Sequence, residues 1–203
     1  MTELSQLPML NNLLQDSYKY EMNLIGKLLI APPSVKGNFW AKTVIFVTED
    51  HNRGSMGIVL NKKSQMTINE FSKQCGVELD MEGEVFIGGP VNTKALTLLH
   101  STEWACGNTM QVNEEFSISS SHDILHRFAA GDLPNKWRLS VGLCAWAPKQ
   151  LEHEFKGIGP YPHEFSWLKT TPNYELVFNL NGTEQWTQSI ERSGQEFVQN
   201  IFA

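Results

Sequence analysis

The 203-residue sequence predicts an α+β fold: a single domain whose mainly antiparallel sheet carries flanking helices. Three observations lead there. Segments rich in β-branched residues arrive in adjacent runs with helical segments between them, not in strict strand and helix alternation. Hydrophobic residues make up 41% of the chain and charged residues 19%, so it has the material for a core and lies far from the composition of disorder. No internal repeat, low-complexity tract or long linker divides it.

Residues 1–23 read as an amphipathic helical extension, and residues 24–203 as the domain. In the extension Leu4, Leu7, Leu10, Leu13, Leu14, Tyr18 and Met22 recur at steps of three or four. A helix of that length is marginal alone in water, so its stripe must pack on the domain or on another chain. Residues 24–31 turn β-like, and Pro32-Pro33 then stops any regular element. Residues 43–48 (TVIFVT) read as a strand buried on both faces, and 56–61 (MGIVLN) as its antiparallel neighbour across a polar loop at 49–55. Thr67 and Glu70 have capping-box spacing, which starts a helix over 68–74 that Gly76 ends.

Strands follow at 84–87, 95–100 and 112–117, with a Gly88-Gly89-Pro90 turn after the first. Ser120 or Ser121 opens a helix with Ile124, Leu125, Phe128 and Ala129 on one face, closed by Gly131. Residues 137–144 (WRLSVGLC) alternate as a strand, and Pro148 opens a short helix through Phe155. Residues 174–180 (YELVFNL) read as a final strand, followed by a tight turn at Asn181-Gly182 and a helix over 183–192 that Gly194 stops.

The 22 acidic residues outnumber the 16 basic ones, giving a net charge of -6, which opposes nonspecific attraction to nucleic acid or anionic lipid. No apolar run approaches the roughly 18 to 20 residues of a membrane span, and the first 23 residues lack signal-peptide organisation. The three cysteines, Cys75, Cys106 and Cys144, match neither a paired disulfide framework nor a CxxC motif. Reduced thiols in the cytoplasm are the expectation, with no membrane partner.

Chemistry-bearing motifs are weak when taken singly. Gly88-Gly89-Pro90-Val91 could form an anion-holding nest, but Pro90 removes a donor and a sharp turn is the simpler reading. Gly26-Lys27 lacks the earlier glycine of a phosphate-binding loop, since Glu21 occupies that place. His122 and His126 have the spacing of two zinc ligands, but Asp123 stands where a metalloprotease helix needs Glu, so a solvated face is favoured. Neither a metal nor a cofactor is expected.

Several segments taken in order resemble the YqgE/AlgH family. They are Gly26-Lys27-Leu28-Leu29-Ile30-Ala31-Pro32, His51 to Asn61 (HNRGSMGIVLN), Gly88-Gly89-Pro90-Val91, Leu98-Leu99-His100, then Gly142, Trp146 and Gln150-Leu151-Glu152-His153-Glu154, and finally Trp167-Leu168, Phe178 and Trp186. The resemblance spans roughly residues 24–190. The sequence departs from the family pattern in its N-terminal helix, in Lys62-Lys63, and in a Gly157 to Glu164 insertion.

The resemblance implies a bent, pseudo-barrel-like sheet, and members described as uncharacterised or as transcriptional regulators. It implies no reaction. Two readings follow. In one the chain is a non-catalytic interaction or regulatory protein that works through protein partners. In the other, Asn61, Gly88, Gly89, His100, Trp146, Gln150 and Glu154 line a polar pocket that binds a small molecule or performs unrecognised chemistry, with Glu154 or His100 as the acid or base. Against the pocket stands the simpler possibility that these side chains satisfy strand ends and turns. Oligomeric state is not readable from sequence.

Overall fold

The structure is a computed structural model and describes residues 23–158 and 165–202. The expected helix over 4–22 and most of the Gly157 to Glu164 insertion lie outside these residues. Among the described residues ten strands, β1 (Leu28–Ile30), β2 (Val44–His51), β3 (Gly54–Val59), β4 (Lys63–Thr67), β5 (Glu84–Ile87), β6 (Val91–Ser101), β7 (Thr109–Gln111), β8 (Phe116–Ser119), β9 (Trp137–Trp146) and β10 (Leu168–Thr170), form a curled half-barrel in the order β10-β1-β2-β3-β9-β6-β8-β7, with β4 and β5 attached through β9. The pairing is antiparallel throughout, apart from β5 beside β9.

Strands β1 (Leu28–Ile30), β2 (Val44–His51) and β3 (Gly54–Val59) pair in sequence. Successive side chains of a strand point to opposite faces. Accordingly Ile45 and Val47 enter a core with Leu29, Trp146, Leu151 and Trp167, while Val44 and Phe46 enter another with Ile58, Phe116 and Val177. This is the doubly buried strand that the TVIFVT run predicts. The hairpin loop is shorter than expected, because pairing resumes at Glu49 beyond a bulge and continues to His51 opposite Gly54.

Strand β4 (Lys63–Thr67) leads into α1 (Ile68–Gln74), whose start is the expected capping box. Thr67 Oγ1 accepts the Glu70 N–H at 3.2 Å, and the Glu70 carboxylate accepts the Thr67 N–H at 2.8 Å. Gly76 follows in the left-handed region. Strands β5 (Glu84–Ile87) and β6 (Val91–Ser101) flank the Gly88-Gly89-Pro90 turn. In place of one strand over 112–117, β7 (Thr109–Gln111) and β8 (Phe116–Ser119) form a hairpin. Asn113 Oδ1 accepts the N–H groups of Glu115 and Phe116, which makes the middle of the expected strand its turn. Helix α2 (Ile124–Ala129) carries the expected apolar face but starts after Asp123, Ser121 Oγ accepting the Asp123 N–H in the turn before it and not capping the helix. Strand β9 (Trp137–Trp146) runs two residues past its expected end, and α3 (Gln150–Lys156) starts two residues after Pro148.

The YELVFNL segment is not a strand. Strand β10 (Leu168–Thr170) lies before it, and Glu175–Asn179 forms a π-helical turn. Its carbonyls are taken by two buried side chains: Gln185 donates to Leu176, and the Arg138 guanidinium donates to Val177, Phe178 and Leu180 as well as to Leu60. Those tertiary bonds replace the ladder bonds a strand would need. Helix α4 (Gly182–Ile201) then runs through Gly194 without stopping. Arg192 donates to the Thr171 carbonyl and the Glu196 carboxylate accepts the Thr171 N–H, clamping the second half of α4 to the end of β10. That clamp offsets the roughly 1 kcal/mol a helical glycine costs.

Candidate functional site

The long strand β9 ends at Trp146, and the chain turns through Lys149, held at φ 64°, into α3. Gln150 Oε1 accepts the Ala147 N–H at 2.9 Å, so the first helical side chain closes the turn. One helical turn later Glu154 comes to lie on the same face, where Gln150 Nε2 donates to its Oε1 at 2.8 Å. Glu154 is only 2% exposed. Its other oxygen, Oε2, accepts the indole N–H of Trp146 at 2.9 Å and that of Trp167 at 3.0 Å. Two buried indoles thereby find the acceptor they require, and a buried carboxylate finds its donors.

Beside this carboxylate lies a cavity of about 100 Å³. Trp40, Trp146, Trp167, Gln150 and Glu154 form its polar and aromatic wall, and Pro90, Val91, Cys144 and Ala145 complete it. Trp40 and Trp167 meet edge to face, with ring centroids 5.8 Å apart. Burial and the neighbouring Glu154 charge push the Cys144 thiol up to about 12, so it stays protonated at neutral pH.

Of the residues expected to line one pocket, Trp146, Gln150 and Glu154 come together. Gly88 and Gly89 lead into the cavity wall at Pro90, and their lack of side chains has a steric reason. A Cβ on Gly88 would strike the Gly142 carbonyl, and one on Gly89 would strike the Leu143 backbone. The Gly88 N–H is committed to the Val141 carbonyl at 2.7 Å, so it is not offered to an anion. Asn61 does not line the cavity. It accepts the Val44 N–H and donates to the carbonyls of Lys42 and Gly182, tying the start of β2 to the start of α4.

His100 sits in a different network and is fully buried. Its Nδ1 lies 2.8 Å from the Ser101 carbonyl, which needs a donor, so Nε2 accepts from Ser119 Oγ at 2.8 Å. Burial lowers its pKa. Ser119 also borders a larger cavity of about 280 Å³, between β2 and β3 on one side and the β7–β8 hairpin on the other. The smaller cavity is the better candidate despite its size, because there a carboxylate and three indoles converge.

Sequence reasoning passed over Trp40 and Trp167 as site residues. The requirement of a buried indole N–H for an acceptor is the signal that would have pointed to Trp167. It also passed over Arg138, 4% exposed, which lies 4.1 Å above the Phe86 ring and whose burial lowers its pKa to about 10. Among the described residues no cluster of His, Cys, Asp and Glu could hold a metal ion, and no helix is long and apolar enough to cross a membrane.

A family model described as AlgH-like matches residues 28–198, from the first strand almost to the end of the last helix. The chain belongs to the AlgH-like family. Among AlgH-like relatives, a UPF0301 protein of Shewanella denitrificans is 31% identical, over 87% of this chain and 95% of its own length. Another, from Gluconobacter oxydans, is 32% identical over 84% of this chain and 90% of its own. The solution structure of the AlgH protein from Pseudomonas aeruginosa superposes with a TM-score of 0.71 at 27% identity, covering 86% of this chain and 90% of that one. A Corynebacterium diphtheriae protein shares the fold at a TM-score of 0.65 and 18% identity, over 88% and 92% of the two chains. The AlgH-like family is uncharacterised and brings no reaction with it.

Proposed function

We propose that this AlgH-like protein is a non-catalytic interaction protein of the cytoplasm that regulates transcription through protein partners. The regulatory part of the reading rests on the family resemblance. The docking part is supported by the outer face of α4, where Phe197, Val198 and Ile201 are 67%, 52% and 60% exposed, with Phe202 just past the helix end 85% exposed. Phe197, Val198 and Ile201 share one side of the helix, away from Gln185 and Ser189, which are buried against the body. Contiguous exposed apolar side chains of this kind mark interaction surfaces. Glu184 and Glu191 lie along the same helix, and the chain carries a net charge of -6. The occupant that matches is a basic amphipathic helix of a partner protein.

A photo-cross-linking residue at position 201 of the full-length protein in cells tests this. The expected product joins position 201 to a basic helical segment of another protein. That segment, made as a synthetic peptide, should bind the wild type roughly tenfold more tightly than a Phe197→Ser, Ile201→Ser variant. Cross-links confined to residues 4–22 of the same chain, or to a second copy, would overturn the reading.

A second reading, small-molecule binding, is supported by the indole-bound carboxylate at the cavity wall. A thermal-shift screen against nucleotides, sugar phosphates, amino acids and ammonium compounds tests it, with Trp40→Ala as the control that must lose any shift.

A further inference from the structure

Resting on the second reading, we infer that the cavity beside Glu154 is an aromatic cage for a methylated ammonium group. Three indoles, Trp40, Trp146 and Trp167, border one space together with a single carboxylate. Tryptophan is the strongest ring partner for a cation, and cages of this composition hold quaternary ammonium groups. Glu154 supplies negative charge to the wall and the three indoles supply π-electron density.

The hydrogen bonding selects the kind of cation. Glu154 already accepts from two indoles and an amide at 2.8 to 3.0 Å. A primary ammonium or a guanidinium entering the cage would carry several N–H donors in need of acceptors. A trimethylammonium head has no N–H at all. It is drawn by the charge of the carboxylate and by the indole rings, and Pro90, Val91 and Ala145 are the apolar groups its methyls would meet. Size agrees with chemistry: about 100 Å³ is space for roughly three water-sized groups at about 30 Å³ each, which suits a compact methylated head and not a nucleotide. Pro90, Val91 and Ala145, all exposed, give the cage a side that reaches solvent.

The head group could belong to a free osmolyte-like molecule such as choline or to a trimethylated lysine side chain, and both present the same chemistry to the cage. Tryptophan fluorescence of the full-length protein, titrated at constant ionic strength, separates them. The probes are tetramethylammonium chloride, choline, a short peptide carrying trimethyl-lysine, and 3,3-dimethylbutan-1-ol, the uncharged isostere of choline. The expected result is saturable binding of tetramethylammonium and of choline or the peptide, whichever is the better fit naming the source. Binding of the alcohol should be roughly tenfold weaker, and so should all binding to Trp40→Ala. The hydrogen bonds to Glu154 described above come from Gln150, Trp146 and Trp167, so replacing Trp40 leaves their donors in the chain, and circular dichroism checks that the variant is folded.

Absence of saturation by every cationic probe, or equal binding of the alcohol, would overturn the cage. A non-cationic compound from the thermal-shift screen whose effect is lost in Trp40→Ala would overturn the cage while leaving the pocket standing. A screen in which nothing depends on Trp40 would remove both.

Discussion

Trp146 and Trp167, one ending the central strand β9 and the other preceding the edge strand β10, donate their indole N–H groups to the same oxygen of Glu154. This shared acceptor joins two distant parts of the sheet to α3. It also gives the buried carboxylate a structural task that can be measured apart from ligand binding.

Glu154→Ala leaves two buried indole N–H groups without their acceptor, and each unsatisfied group costs about 1–3 kcal/mol. A loss of about 3 kcal/mol is expected in urea denaturation. Glu154→Gln keeps one oxygen for the indoles and should lose about 1–2 kcal/mol, with the Gln150 bond the part surrendered. Equal stability of the alanine variant and the wild type would show that the bonds are not formed in solution.

Arg138 donates to four backbone carbonyls drawn from β3's end and the π-helical turn. Arg138→Met keeps much of the volume over Phe86 but strands those acceptors, and a loss of about 3–5 kcal/mol is expected. Arg138→Lys should recover only a minor part, since an ammonium cannot span the fork of carbonyls that the planar guanidinium reaches. Hydrogen exchange of residues 174–180 is the sensitive readout, with faster exchange expected in both variants.

His100 is held neutral by burial, with its pKa below the ordinary imidazole value. On acidification the unfolded chain takes up a proton at its ordinary pKa of about 6.5 while the folded chain resists it. The unfolded state therefore binds more protons below that pH, and stability falls as pH drops through it. The urea midpoint should decline between about pH 7 and pH 5.5, and decline less in His100→Gln. Identical pH profiles for the two proteins would place the titrating group elsewhere.

Thr67→Ala removes the hydroxyl half of the capping box and should cost about 1 kcal/mol. An unchanged thermal midpoint would mean that the Glu70 carboxylate alone secures the start of α1.

The parts of the fold that were legible in sequence are those decided locally. The capping box at Thr67 and Glu70 is complete within four residues, and the TVIFVT run carries its two-sided burial in its own composition. The π-helical turn was not legible, because Arg138 and Gln185 reach it from β9 and α4 and satisfy carbonyls that would otherwise seek a sheet. Gly194 does not stop α4 for a related reason: Arg192 and Glu196 hold the helix to Thr171 from outside. The same division runs through the site. Gln150 and Glu154 are four residues apart on one helix and were readable as a pair. Trp167 and Trp40 join them only through the folded chain, while His100, whose strand pairs with β8, is turned toward Ser119.

The most direct test of the Glu154 cluster as a ligand site follows the indole N–H resonances of the six tryptophans by two-dimensional NMR while tetramethylammonium is added. The cage predicts that the Trp146 and Trp167 signals, protected from exchange by Glu154, shift together with Trp40 and saturate, while those of Trp104, Trp137 and Trp186 stay in place. Indole signals that remain fixed throughout, or that move equally with the uncharged isostere, would contradict it.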